Sequence, residues 1–157
     1  MLKMKKRILL VITIIITSVI FLHSSMSAAE STVESDAAYG ILDGMTSFFG
    51  LPNFLTGITI RKAAHFMEFA VFGFFLSSTV HSYAAGFKNQ IFKILFFLLA
   101  VPVTDEFIQY FSEGRSAQVS DVLIDFSGGL CGFFALGVFL SIVTWINNRK
   151  RADGKSN

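Results

Sequence analysis

The chain is 157 residues long, 53% apolar and only 15% charged, with a net charge of +2. One domain fits that length, and a soluble one is excluded. An ordinary soluble chain is about a quarter charged, and 19 phenylalanines are more aromatic surface than a soluble domain of this size can hide. No nucleic-acid partner is expected. The single cysteine, Cys131, rules out a disulfide within the chain; sitting in an apolar run, it reads as a small packing residue.

The apolar residues fall in blocks of the length a bilayer demands, about 20 residues per helical span. Residues 1–7, with Lys3, Lys5, Lys6 and Arg7, form a basic start, and residues 8–26 form the first span. A basic start, a short apolar core and Ser27-Ala28-Ala29 also fit a cleavable signal peptide. An uncleaved anchor is preferred, because the later spans hold the protein in the membrane anyway. Residues 27–60 read as an extracytoplasmic segment. Ser31 and Glu34 have the spacing of a capping box, a helix start. Behind them Ala38, Ile41, Leu42, Met45, Phe48 and Phe49 recur at helical spacing, and Gly50, Leu51 and Pro52 supply a stop. An amphipathic helix of this kind lies on the membrane surface or against the bundle, and the expectation is a covering element rather than a ligand lid.

Residues 61–146 form a three-helix membrane core. Its spans run over about 63–83, 91–111 and 122–146, with a short loop carrying Lys88 and a polar turn around Arg115. Lys93 can snorkel to the interface, Pro102 should kink the helix that contains it, and Trp145 is an interfacial anchor. The fold class is therefore all-α: a multi-pass helical bundle of about four transmembrane helices plus an amphipathic outer helix. Residues 147–157 are a basic tail, expected to be disordered. Basic residues favour the cytoplasmic side. Placing the N-terminus inside puts ten of them there, Lys3, Lys5, Lys6, Arg7, Lys88, Lys93, Arg149, Lys150, Arg151 and Lys155, and leaves Arg61, Lys62 and Arg115 outside. The expected topology has both ends in the cytoplasm.

Charged groups at bilayer depth are costly and mark function or a satisfied network. Here they sit in three places that this topology brings to one level near the outer face. One span begins with Lys62, His65 and Glu68, spaced to share a helix face; the next ends with Asp105, Glu106 and Gln109; the last begins with Asp121 and Asp125, one turn apart. Arg115 lies in the loop between. These nine residues are the candidate ligand-binding set, with Arg115 as a bidentate anion contact and His65 with Glu106 as a candidate acid–base pair. Carboxylates flanking a histidine are ordinary metal ligands. No tight spacing such as His-Glu-x-x-His is present, so no metal is assigned. The competing bland reading is a polar network that only locks the helices together, each pair contributing about 1 kcal/mol. His23 and His81, near helix ends, read as interfacial polar residues. Gly128 and Gly132 form a small-xxx-small pair that lets helices approach closely, read as packing within the chain.

The run Arg61, Lys62, His65, Phe66, Glu68 and Phe69, then Asp105, Glu106 and Gln109, then Gly114-Arg115, then Asp121 and Asp125 with Gly128, Gly129 and Gly132, resembles the VanZ-like family in order and spacing. The resemblance covers about residues 61–140. It implies a bacterial integral protein of the cytoplasmic membrane. The founding member is associated with resistance to teicoplanin, a glycopeptide that binds cell-wall precursors. The family's biochemical activity is not established, so no catalytic role and no cofactor carry over. The expected partners are membrane lipids and a lipid-linked or cell-wall precursor ligand, with the oligomeric state left open. Two other classes compete: a metal-assisted or acid–base hydrolase or transferase on a lipid substrate, and a structural or accessory membrane protein.

Overall fold

The computed structural model describes residues 2–48, 57–83 and 90–153. Among the described residues the elements are five α-helices: α1 (Leu2–Ser24), α2 (Ala28–Phe48), α3 (Gly57–Tyr83), α4 (Ile91–Tyr110) and α5 (Val119–Asp153). No strand occurs among the described residues. Among the described residues three helices contain stretches long and apolar enough to cross a membrane, Lys3–Ser24, Thr59–Tyr83 and Val119–Arg151. The fourth expected span is α4, whose 20 residues carry Lys93, Asp105 and Glu106; those charges keep it outside the other three.

The bundle is organised by α3 and α5, which run parallel. Lys62 meets Asp121 at one end of the pair, and the Phe74 and Phe139 rings meet farther along it, 6.2 Å apart. Glycine makes this approach possible. A Cβ at Gly132 would collide with the Ala70 carbonyl and the Phe74 nitrogen, one at Gly128 with the Phe66 carbonyl, and one at Gly73 with the Gly129 backbone. Gly128 and Gly132 thus serve packing within the chain, as their spacing predicts, and Gly73 supplies the matching gap on the other helix. Around this seam the core gathers Phe69, Phe72 and Leu76 of α3, Ile94, Leu98 and Val101 of α4, Phe133 of α5 and Ile20 of α1. The large apolar side chains left outside, such as Phe92, Phe96, Phe107, Phe134 and Ile142, are exposed, which a helix surrounded by lipid tolerates.

The first helix is built into this bundle. It runs antiparallel to α3, with the Thr13 and Thr79 hydroxyls 2.8 Å apart in the interior and His23 near Glu68 at the opposite end. The structure revises three boundaries. The second helix starts at Ala28, three residues before Ser31, because the capping box is formed by Ser27 and Glu30. The Glu30 amide donates to the Ser27 hydroxyl at 3.3 Å, and the Ser27 amide donates to the Glu30 carboxylate at 2.9 Å. That amide, and next the Ser27 hydroxyl, hold the Glu30 carboxyl below its usual pKa. Ser31 is buried one turn in and has another partner, described below. The third helix starts at Gly57, so Arg61 and Lys62 lie inside it; nothing between Gly57 and Ala63 breaks a helix. The basic tail is helical as far as Asp153 rather than disordered. Arg149 stacks on the Trp145 ring at 4.2 Å, one turn away, and basic residues in a last turn complement the helix dipole.

On α2, Val33, Ile41 and Phe48 are exposed. Phe49, the stop at Gly50–Pro52, the Lys88 loop and the side chains of Leu42 and Met45 lie outside the described residues. Pro102 lies inside α4 and is buried.

Candidate functional site

Five helix ends meet at one end of the bundle: the C-termini of α1 and α4 and the N-termini of α2, α3 and α5. The polar residues of the sequence collect there. On α3, Lys62 donates to Asp121 of α5 at 3.0 Å, and one turn on His65 Nδ1 lies 3.9 Å from Asp125 Oδ1. Glu68 departs from this shared face. It turns towards α1, where its carboxylate lies 3.3 Å from His23 Nδ1.

On α4, Asp105 is fully buried and Gln109, one turn later, donates to its Oδ2 at 2.8 Å. The Ser24 hydroxyl of α1 donates to Asp105 Oδ1. Glu106 is also buried, and its Oε2 accepts the backbone amide of Gln118 at 2.7 Å, just ahead of α5. Its Oε1 has no hydrogen-bond partner among the described residues. The nearest acid partner of His65 is thus Asp125, while Glu106 is committed on one side to the loop.

The turn after α4 depends on Gly114, whose φ of 72° is in the left-handed region that favours glycine. That turn aims Arg115 back at α1. One guanidinium nitrogen donates to the carbonyls of His23 at 3.1 Å and Ser24 at 3.4 Å, and the other donates to the Ser31 hydroxyl at 3.2 Å. Ser112 donates to the Ser24 carbonyl at 2.8 Å, and the Ala28 amide donates to the Glu113 carbonyl at 2.9 Å. The last carbonyls of a helix lack partners within it, so Arg115 and Ser112 cap α1 from a distant loop. Burial, and then the charge of Arg61, lowers the Arg115 pKa from its usual value.

A cavity of about 300 Å³ opens beside these groups. Its walls include His23 from the end of α1, Met26 from the link to α2, Ser31, Glu34, Ser35 and Ala38 from α2, Arg61, His65 and Glu68 from α3, and Arg115. Among the described residues Arg61 forms no hydrogen bond or ion pair, so it is the cation on this wall that is open to a ligand. A second void, of about 10 Å³, lies deeper between His65, Glu106, Gln109, Asp121 and Asp125, with Arg61 and Lys62 also on its wall.

All nine candidate residues therefore stand at one end of the fold, most of them in linked pairs. Sequence reasoning missed Ser24, Ser31, Gln118 and Arg61, and treated His23 as interfacial. The available signal was the topology itself: a first span that ends at His23-Ser24 must end level with the start of α3. Arg61 was hidden by being counted as a flanking charge outside the helix.

The fold and this polar end define a class, an all-helical membrane protein with an ionisable cluster at one end of its bundle. A family model described as VanZ/LLP1 matches residues 9–141, and the chain belongs to that family. No curated protein and no solved structure matches it.

Proposed function

We propose that this VanZ-family membrane protein crosses the bacterial cytoplasmic membrane several times with both ends in the cytoplasm. Its polar end then lies at the outer leaflet, where it binds the anionic headgroup of a cell-envelope or lipid-linked ligand. In this reading α1 is a retained anchor, since it supplies one wall of the cavity and the hydroxyl that Asp105 accepts from.

The observation that carries the proposal is the 300 Å³ cavity with the guanidinium of Arg61, unpaired among the described residues, on its wall. The volume is at the small end of the range for ligand sites, roughly 300–1,000 Å³, and suits a headgroup better than a whole lipid. A guanidinium matches phosphate or carboxylate through paired hydrogen bonds. Arg115, the sequence's candidate for this contact, acts instead as the positioning residue: its terminal nitrogens hold the end of α1 and Ser31 in place. Most of the cavity wall comes from α2 and α3, at the end of the bundle that this reading places at the outer leaflet.

Family membership makes glycopeptide protection the first phenotype to test. Teicoplanin acts on cell-wall precursors at the membrane surface, the side on which this reading puts the cavity. Susceptibility is compared in a sensitive bacterial host expressing wild type, Arg61→Gln or Glu106→Gln at matched membrane levels. Wild type is expected to protect, Arg61→Gln to abolish protection, and Glu106→Gln to weaken it. Protection by Arg61→Gln equal to wild type would sink the headgroup reading; failure of wild type to protect would remove teicoplanin as the relevant agent.

A further inference from the structure

We propose that His65, Asp105 and Asp125 form a divalent-cation site that takes a metal of mixed nitrogen and oxygen preference, Zn²⁺ or Mn²⁺. The three side chains come from α3, α4 and α5, and each offers one donor atom within 4.8 Å of the other two. Three donors bonded to one such ion at ~2.0–2.2 Å lie roughly 3.3–3.8 Å apart, so side-chain movements of about 1 Å close the set.

A second observation points to a ligand independently of that spacing. Asp125 is 1% exposed, and neither of its carboxylate oxygens has a hydrogen-bond partner among the described residues. Its oxygens are in the group that the donor set needs, with the closer one 3.9 Å from His65 Nδ1. Leaving a buried carboxylate unpartnered costs several kcal/mol, and a cation bonded to it removes that cost. The neighbouring cations do not: Lys62 is bonded to Asp121, Arg115 to the end of α1 and to Ser31, and Arg61, on the wall of the same void, makes no ion pair with Asp125 among the described residues.

The surroundings suit a bound ion. Asp105 is oriented by the Ser24 hydroxyl and the Gln109 amide, one on each oxygen. A carboxylate oxygen holds two lone pairs, so each keeps one for a metal. Such outer hydrogen bonds are the usual means of aiming a ligating carboxylate. The 10 Å³ void beside His65 and Asp125 has room for a single ion or water and for nothing larger. Glu106 lines the same void, its Oε1 has no hydrogen-bond partner among the described residues, and it is the candidate fourth ligand. One imidazole with carboxylates selects Zn²⁺ or Mn²⁺ over Mg²⁺ or Ca²⁺, which prefer oxygen alone, and over Cu(I), which prefers sulfur. Two aspartates also balance one divalent charge.

This site does not depend on the headgroup reading, and its test uses the metal alone. Full-length protein is purified in detergent without chelator, its metal content is measured by mass spectrometry, and the stripped protein is titrated with Zn²⁺ and Mn²⁺ by calorimetry and thermal unfolding. About one ion per chain and a higher Tm with metal are expected. Asp125→Asn and His65→Gln should each lower affinity at least about tenfold. Metal-free Asp125→Asn should also unfold no earlier than metal-free wild type, because the unpartnered charge is gone. No stoichiometric binding and no thermal shift in wild type would overturn the proposal, as would wild-type affinity in both variants. If Asp125→Asn does not fold, His65→Gln decides alone.

Discussion

The seam between α3 and α5 and the polar end of the bundle are held together in opposite ways. Along the seam, backbone lies on backbone at Gly73, Gly128 and Gly132, and the rings of Phe69, Phe72 and Phe133 fill the flanks. At the polar end, the helices meet through long side chains that reach from one element to another. The two regions also differ in how completely they are satisfied. Of the five buried side-chain atoms without a hydrogen-bond partner among the described residues, four belong to Glu106, Arg115 and Asp125 at the polar end; the fifth is the Ser77 hydroxyl. A network that served only to lock helices would gain most by pairing every such atom, since a buried unpartnered group costs about 1–3 kcal/mol. The seam is what folding alone would favour. The polar end departs from it, and that departure is the structural argument for a ligand.

The comparison breaks first at the seam. Gly132→Leu puts a side chain where even a Cβ meets the Ala70 carbonyl and the Phe74 nitrogen. Backbone atoms cannot step aside as a flexible side chain can, so the helices must separate. The expected loss is about 3 kcal/mol or more, read as a collapse in the monodisperse fraction on size exclusion and an early unfolding midpoint. Retention of wild-type stability would mean that the seam is not the element that organises the bundle.

A smaller effect is expected at Arg115, and it separates positioning from ligand contact. Arg115→Lys keeps the charge but loses the fork that reaches the His23 and Ser24 carbonyls and Ser31 together. Hydrogen bonds to a charged group contribute about 1.5–3 kcal/mol each when removed, and part of that is recovered by the lysine, so a loss of about 2 kcal/mol is expected. Hydrogen exchange should quicken at the α1–α2 junction. If Arg115 were instead the anion contact, the variant would unfold as wild type does and lose only ligand response.

Much of this architecture is legible in the residues. Apolar blocks of bilayer length give the helices, and Gly128 with Gly132 gives the close contact. The pairs Asp105–Gln109 and Asp121–Asp125 follow from one-turn spacing, and the gathering of all nine polar candidates follows from helix direction. What spacing cannot supply is the partner across helices. His65 opposite Asp125 depends on the register of α3 against α5, and that register is set by Gly73, which lies outside any paired motif on its own helix. Metal-ligand spacing is silent for the same reason, since His65, Asp105 and Asp125 each come from a different helix. Ser24 was illegible because its role needs α1 to be part of the bundle, which a basic start and an apolar run leave undecided.

The smallest effect sharpens the contrast at the edge of the polar end. Ser31 reads as the helix start and Ser27 only as part of a possible cleavage site, yet the structure gives the start to Ser27. Ser27 accepts the Glu30 amide and closes the box, whereas Ser31 accepts from Arg115. Ser27→Ala should therefore loosen the first turn of α2, costing about 1 kcal/mol, with faster amide exchange confined to that turn. Ser31→Ala should leave the turn protected and loosen Arg115 instead. The Glu30 carboxyl adds a pH signature. Its folded pKa is depressed, so its contribution is complete above the ordinary value of 4.5 and is lost as the pH falls through the lower folded value. Protection of the first α2 turn should fade in that acid window in wild type, and the fading should be absent in Glu30→Gln. Equal behaviour of the two serine variants would mean that the helix start is set by the chain's attachment at Ala28 to Glu113, not by the box.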